Sequence, residues 1–347
     1  MFKYLKYFFA IIFAHLFAKN IPILVTLCVT HRCNMRCIYC YGHFYDRKEP
    51  DMSTNDILHL IDEMSAAGTK YISLNGGEAL LRDDLDVIVD KIRAKGILCH
   101  LSTNGLLVRH KVHLLKLIDS LAISFDGIGQ ANDLNRGQGM YPRVLDAIIF
   151  LHEQKIPFHT HTVITKNNSM DIGSILDLAE KYKFQAQFSL CRVKDSPVKD
   201  IGLGDDELKV VVGKILDYKK QGRPVFFSRH AYESYLSWPF SYDIIKVDEN
   251  GNNFSMVRRR CYVKRFSCHI EPDGSMYPCI VLSGKSHSIN VLSAGFKTAW
   301  VKIIQNPCLA CYNICCNDLN LVFGLDYKSL RNALGIVLAR LNREKKA

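Results

Sequence analysis

The chain has 347 residues, 48% of them hydrophobic and 23% charged, and a formal net charge of +11 at pH 7. Disorder is excluded, and the length suits one large domain with an appendage rather than two equal halves. The basic balance calls for an anionic partner, but no interleaved basic and aromatic stripe marks an RNA-binding module, so nucleic acid ranks below an anionic membrane or an acidic substrate.

In chain order the first element is the apolar run from Tyr7 to Ala18, flanked by Lys3, Lys6 and Lys19. It is too short and too interrupted for a membrane span, and no convincing cleavage site makes it a signal peptide. Residues 1–20 are expected to form a basic amphipathic helix. It either lies on the cytoplasmic face of a membrane, lysines among the headgroups, or packs on the protein's own core.

Over residues 21–225 strands and helices alternate. Strands are expected at Pro22 to Thr26, Tyr71 to Asn75, Leu98 to Ser102, Leu121 to Phe125, Phe158 to Thr165 and Gln185 to Arg192. Helices are expected at Asn55 to Ala67, Leu85 to Lys95, Val112 to Asp119, Arg143 to Gln154, Ile172 to Tyr182 and Asp206 to Lys219. The first of these opens at Ser53 and Thr54, closes at Gly68, and carries Ile57, Leu58, Ile61 and Met64 on one face. Such alternation implies a parallel sheet covered by helices, and six units suggest a partial (β/α)6 barrel.

Behind the first strand the sequence reads T-H-R-C-N-M-R-C-I-Y-C-Y-G, with Cys33, Cys37 and Cys40 on one short loop. Three thiolates at this spacing can ligate three irons of a 4Fe-4S cluster and leave the fourth open to a small molecule. A zinc site completed by His31 or His43, or a few buried thiols, are the plainer readings. Thirteen cysteines gathered mostly in two groups suit metal or cluster sites in a reducing, cytoplasmic compartment better than a disulfide framework. Cys28, Cys99 and Cys191 stand apart and read as small buried hydrophobes.

The triad, with Tyr39 before its last cysteine, resembles the signature of the radical S-adenosylmethionine (radical SAM) superfamily. The other motifs sit where a parallel barrel places its chemistry, behind the carboxyl ends of strands: Asn75, Gly76, Gly77 and Glu78; then Ser102 to Gly105; then Ser124 to Gly127. The resemblance implies that the open iron is chelated by the amino and carboxylate groups of S-adenosylmethionine, whose reductive cleavage yields a 5'-deoxyadenosyl radical. It further implies an electron donor such as flavodoxin or ferredoxin. Gly76, Gly77 and Glu78 resemble the segment that binds the amino group, with Ala79 where proline usually follows. The resemblance also implies that Ser124 and Arg136 hold the carboxylate, that Thr103 and Asn104 meet the ribose hydroxyls, and that Leu190 and Arg192 flank the adenine or the substrate.

The late cysteines are Cys261, Cys268, Cys279, Cys308, Cys311, Cys315 and Cys316. Pro272, Asp273 and Gly274 form a hairpin turn, expected to set Cys261 or Cys268 opposite Cys279. Residues 226–325 resemble the SPASM and twitch extensions of radical SAM maturases, whose cysteine, glycine, cysteine element matches Cys261, Gly274 and Cys279. The resemblance implies one auxiliary iron-sulfur cluster, with Cys261, Cys279, Cys308 and Cys311 preferred as ligands and Cys268 and Cys315 competing; zinc in a ribbon-like fold is the alternative. Residues 326–347 read as a second basic amphipathic helix, with Leu330, Leu334, Val337, Leu338 and Leu341 at helical spacing.

The expected function is hydrogen abstraction by a radical SAM enzyme from a membrane-associated or lipid-like substrate. A peptide-modifying maturase is the alternative, and a zinc-binding membrane adaptor the non-catalytic one. Ile280 follows Cys279 where sulfatase-maturing relatives carry an acidic base, which argues against formylglycine formation.

Overall fold

The structure, a computed structural model, describes residues 2–191, 201–242, 244, 246–248, 261–284 and 286–344. Six parallel strands form the centre: β1 (Leu24–Cys28), β2 (Tyr71–Asn75), β3 (Leu98–Thr103), β4 (Ser120–Ser124), β5 (His159–Ile164) and β6 (Gln185–Leu190), adjacent in that order. Between and after them run α2 (Thr54–Ala66), α3 (Leu85–Ala94), α4 (Val112–Leu115), α5 (Gln130–Arg136), α6 (Met140–Glu153), α7 (Ile172–Lys181) and α8 (Asp205–Lys220). This is the partial barrel expected from the alternation.

Period-2 alternation divides each strand between two environments. Val25, Leu27, Ile72, Leu74, Leu101 and Ile123 are fully buried in the main apolar core. The helices meet them with Ile57, Ile61 and Met64 of α2 and Ile88 and Ile92 of α3. Each such side chain contributes roughly 1.5–3 kcal/mol. The opposite face of the strands carries Thr26, Ser73, His100, Ala122, His161 and Gln187, all lining one cavity of about 730 Å³. Where a closed eight-stranded barrel fills its interior with branched apolar layers, these small and polar residues leave this one hollow.

The short α5 has no counterpart among the sequence expectations. Its inward face is polar: Asn132, Asn135 and Arg136 are buried, and Asn132 Oδ1 accepts from the Asp126 N–H at 3.0 Å. Without an apolar stripe the helix gives no periodic signal.

The later part of the chain holds α9 (Arg229–Leu236), β7 (Lys246–Asp248), α10 (Val263–Phe266), β8 (Ser267–Ile270), β9 (Ser275–Tyr277), β10 (Ile289–Asn290), α11 (Val291–Ala294), α12 (Phe296–Ile303), β11 (Cys308–Cys311), α13 (Ile314–Phe323) and α14 (Tyr327–Glu344). The expected hairpin is β8–β9, antiparallel about the turn at Gly274. It does not stand apart from the barrel. β8 adds in parallel to the free edge of β1, extending the sheet to nine strands in the order β10-β9-β8-β1-β2-β3-β4-β5-β6.

The first helix, α1 (Phe2–Leu16), packs on the protein's own core. Tyr7, Ile11 and Ala14 join a second apolar cluster with Leu98, Phe266 and Phe323, and Lys3 pairs with Asp119 at 3.0 Å. α14 packs against the same cluster through Leu330 and Ala333, and Arg340 donates to the Ile118 carbonyl at 2.8 Å. Among the described residues no helix is long and apolar enough to cross a membrane.

Candidate cluster and cofactor site

The cysteine loop leaves the carboxyl end of β1 and is held by the segment leaving β2. The Gly77 N–H donates to the Thr30 carbonyl and the Glu78 N–H to the Arg32 carbonyl, each at 2.8 Å. Glycine is required here by close approach. A Cβ on Gly77 would lie 2.4 Å from the Arg32 oxygen, and Gly76 has φ +149° with its Cβ position 2.6 Å from the Thr30 oxygen.

Cys33, Cys37 and Cys40 all line the hollow barrel's cavity and interact electrostatically with one another. Burial pushes the Cys33 and Cys37 thiols up to about 11, so metal binding at these sulfurs must release protons. Three sulfurs of this kind, on one loop and facing a cavity, fit a four-iron cluster with one iron left for a small molecule.

Asp126 anchors Arg136, whose guanidinium faces Cys37. Its carboxylate, with a fully buried side chain, lies 2.8 Å from Arg136 Nε, accepts from the Tyr39 hydroxyl, and accepts from the Val163 N–H at 2.8 Å. The carboxylate raises the Arg136 pKa further, against the opposing effect of burial. With Nε so engaged, Arg136 presents Nη1 4.0 Å from Cys37 Sγ. Asp126 is absent from the residues singled out in the sequence, although it stands inside the S-F-D-G segment. Ser124, at the end of β4, lines the same cavity, as does Leu190 at the end of β6. Arg192 lies outside the described residues.

Glu78 is held from within the protein. It is buried and accepts from the Asn104 N–H at 2.7 Å, the Thr103 hydroxyl at 2.8 Å and the Leu80 N–H at 3.1 Å. Burial raises its pKa while these donors oppose the rise. The carboxylate therefore ties the loop after β2 to the loop after β3, with the Thr103 hydroxyl as one of its donors. Asn104 Nδ2 donates to Asn34 of the cysteine loop at 2.7 Å.

The late cysteines gather differently from the preferred set. Cys316 hydrogen-bonds to Cys279 and Cys311, and Cys261 interacts with Cys311 and Cys279, so four thiols converge. Burial pushes the Cys261 thiol up to about 12. Cys268 departs from the expectation. β9 ends at Tyr277, before Cys279, and Cys268 on β8 pairs with Val25 in the main apolar core, its thiol raised by burial alone. Cys315 also turns away, with Sγ 3.8 Å from Gln187 Nε2 of β6. The helical phase of α13 decides between Cys315 and Cys316, and spacing in the sequence does not carry it. Cys308 is buried on β11 beside Asp248.

Glu271 joins the two cysteine regions. It lies 3.6 Å from Arg47 of the cysteine loop and 3.0 Å from His269, and it accepts from Ser283, close after Cys279.

Residues 27–179 match the model of the Radical SAM superfamily. Over 172 residues the chain is 34% identical to the Fe-coproporphyrin III synthase of Methanosarcina barkeri, an overlap of 48% of this chain and 43% of that protein. Against the mycofactocin maturase MftC of Mycobacterium tuberculosis it is 26% identical, covering 80% of this chain and 70% of the relative. The chain thus spans less than half the length of the first relative and more than two thirds of the second. In fold it is similar to Streptococcus suis SuiB bound to S-adenosylmethionine, with a TM-score of 0.65 and 16% identity over 83% of this chain and 68% of that one. That superfamily binds a 4Fe-4S cluster and S-adenosylmethionine, and the sheet, the cysteine loop and these likenesses agree that residues 27–179 form a radical SAM domain.

Proposed function

We propose that this chain cleaves S-adenosylmethionine reductively and abstracts hydrogen from a largely apolar, membrane-associated substrate held in the barrel cavity. The observation that carries the reading is the convergence of Cys33, Cys37, Cys40 and the outer edge of Arg136 on the carboxyl-end mouth of a hollow barrel. When bound, the cluster and S-adenosylmethionine supply one-electron cleavage of a sulfonium C–S bond, releasing methionine and leaving the adenosyl carbon to take a hydrogen atom from the substrate.

The protein's own part is positional. Arg136, steadied by Asp126, offers N–H donors to a carboxylate, and Ser124 adds a hydroxyl. The deep end of the cavity, walled by Tyr4, Tyr7, Phe8, Phe158, Phe226 and Phe227, suits an apolar body. Residues 226–325 supply the second site, for which Cys261, Cys279, Cys311 and Cys316 are the proposed ligands; four cysteines close it, suiting electron transfer or substrate positioning. A flavodoxin or ferredoxin is the proposed electron source. A precursor peptide is the second reading, favoured by the fold likeness to SuiB, which has been solved with the peptide SuiA.

Anaerobically reconstituted protein, reduced and given S-adenosylmethionine, is expected to form 5'-deoxyadenosine, and Cys33→Ala to form none. Colourless protein holding zinc at both cysteine groups would overturn the reading in favour of a metal-binding adaptor.

A further inference from the structure

α1 is apolar on two opposite faces, and the barrel covers only one of them. The inner face is Tyr7, Ile11 and Ala14. On the outer face Phe2 is 69% exposed, Phe9 65% and Leu16 75%, and Leu5, Ile12 and Phe13 are exposed beside them. A helix that is apolar all round belongs inside a protein or against lipid. α14, which packs on the same apolar cluster, adds exposed Leu334 and Leu338.

Charge selects the occupant. No carboxylate occurs in residues 1–45, and exposed Lys6 and Lys19 lie over the rings of Phe2 and Phe13 at 4.5 and 5.5 Å. α14 contributes exposed Lys328 and Arg331. A second copy laid on this face would bring lysine against lysine, whereas anionic headgroups neutralise both helices while the aromatic side chains enter the acyl boundary.

We propose that the outer faces of α1 and α14 form a docking surface for an anionic bilayer, on which the protein rests without crossing it. Tyr4, Tyr7 and Phe8, on the same α1, line the deep end of the cavity, so docking sets the substrate chamber about one helix diameter, ~10 Å, from lipid. This extends the membrane-associated reading of the substrate, but its test needs no turnover, so the two can fail separately.

Flotation of the reconstituted full chain with phosphatidylglycerol vesicles and with phosphatidylcholine vesicles is the experiment. Wild type is expected to float with the former and to lose most of that binding when salt rises from about 0.1 M to about 1 M. Phe9→Gln/Phe13→Gln/Leu16→Gln is expected to bind about 100-fold more weakly, the order set by withdrawing three large apolar side chains from the interface. Lys6→Gln/Lys19→Gln is expected to reduce the preference for anionic lipid. Circular dichroism and iron content unchanged from wild type show that both variants fold. Equal partitioning of wild type and the triple variant overturns the proposal. So does a wild-type dimer that the triple variant dissolves while neither protein binds vesicles.

Discussion

Replacing Asp126 with asparagine is expected to destabilise the metal-free chain by about 3–5 kcal/mol, the cost of leaving one partner of a buried ion pair uncompensated. Arg136 is 6% exposed and the Asp126 side chain 0%, so water cannot take over the lost charge. Asparagine keeps one oxygen to accept from the Val163 N–H and turns its amide toward the Tyr39 oxygen as a donor, so the main loss is the charge facing Arg136. The loss should appear as a lower urea midpoint with an unchanged slope. Asp126→Asn/Arg136→Met, which removes both charges, is expected to recover much of it. A shift below about 1 kcal/mol for the single variant would mean that Arg136 finds another acceptor and is not steadied by Asp126.

Gly77→Ala should remove the first cluster while sparing the second. The new methyl carbon would lie 2.4 Å from the Arg32 oxygen and 2.7 Å from the His31 oxygen, and both are backbone atoms that yield only if the cysteine loop moves. Overpacking of this kind costs roughly 1–3 kcal/mol, and here the strain falls on the segment that orients Cys33. Iron per chain is expected to drop by about four atoms with 5'-deoxyadenosine formation lost, whereas the auxiliary iron stays. Gly213→Ala in α8 is the control, because nothing lies within 4 Å of its Cβ position and alanine favours the helix. Full iron content in Gly77→Ala would show that the loop accommodates a side chain and that its register is set elsewhere.

The sequence carried the fold where burial is apolar and periodic. The strands at Tyr71–Asn75 and Leu98–Thr103 and the helices from Thr54–Ala66 to Asp205–Lys220 fall within a few residues of their expected limits, because Ile57, Leu74 and Ile88 all bury in one apolar core. It carried less where the buried face is polar or the partner is distant. α5 shows no stripe because Asn132 and Asn135 are held by hydrogen bonds. β8 joins β1 across more than 200 residues of chain, a pairing that local pattern does not encode. For α1 the sequence left membrane contact and packing on the barrel as rivals, and Tyr7, Ile11 and Ala14 pack on the barrel.

Site residues divide along the same line. The cysteine triad and the Gly76-Gly77 pair were legible because spacing and close backbone approach leave marks in local sequence. Asp126 and Cys316 were not. One acts by pairing with a residue on the next helix, and the other is distinguished from Cys315 only by which way α13 turns it. Glu78 was legible as a motif member, but its three hydrogen bonds within the protein are a matter of tertiary placement.

Mössbauer spectra of the reconstituted chain, recorded with and without S-adenosylmethionine, test most directly whether the early triad leaves one corner of its cluster to a small molecule. The expected result is one iron site, distinct from its neighbours, whose isomer shift changes on addition while the irons of the late-cysteine site stay as they were. Spectra in which every iron is sulfur-ligated by the protein and none responds would contradict the account.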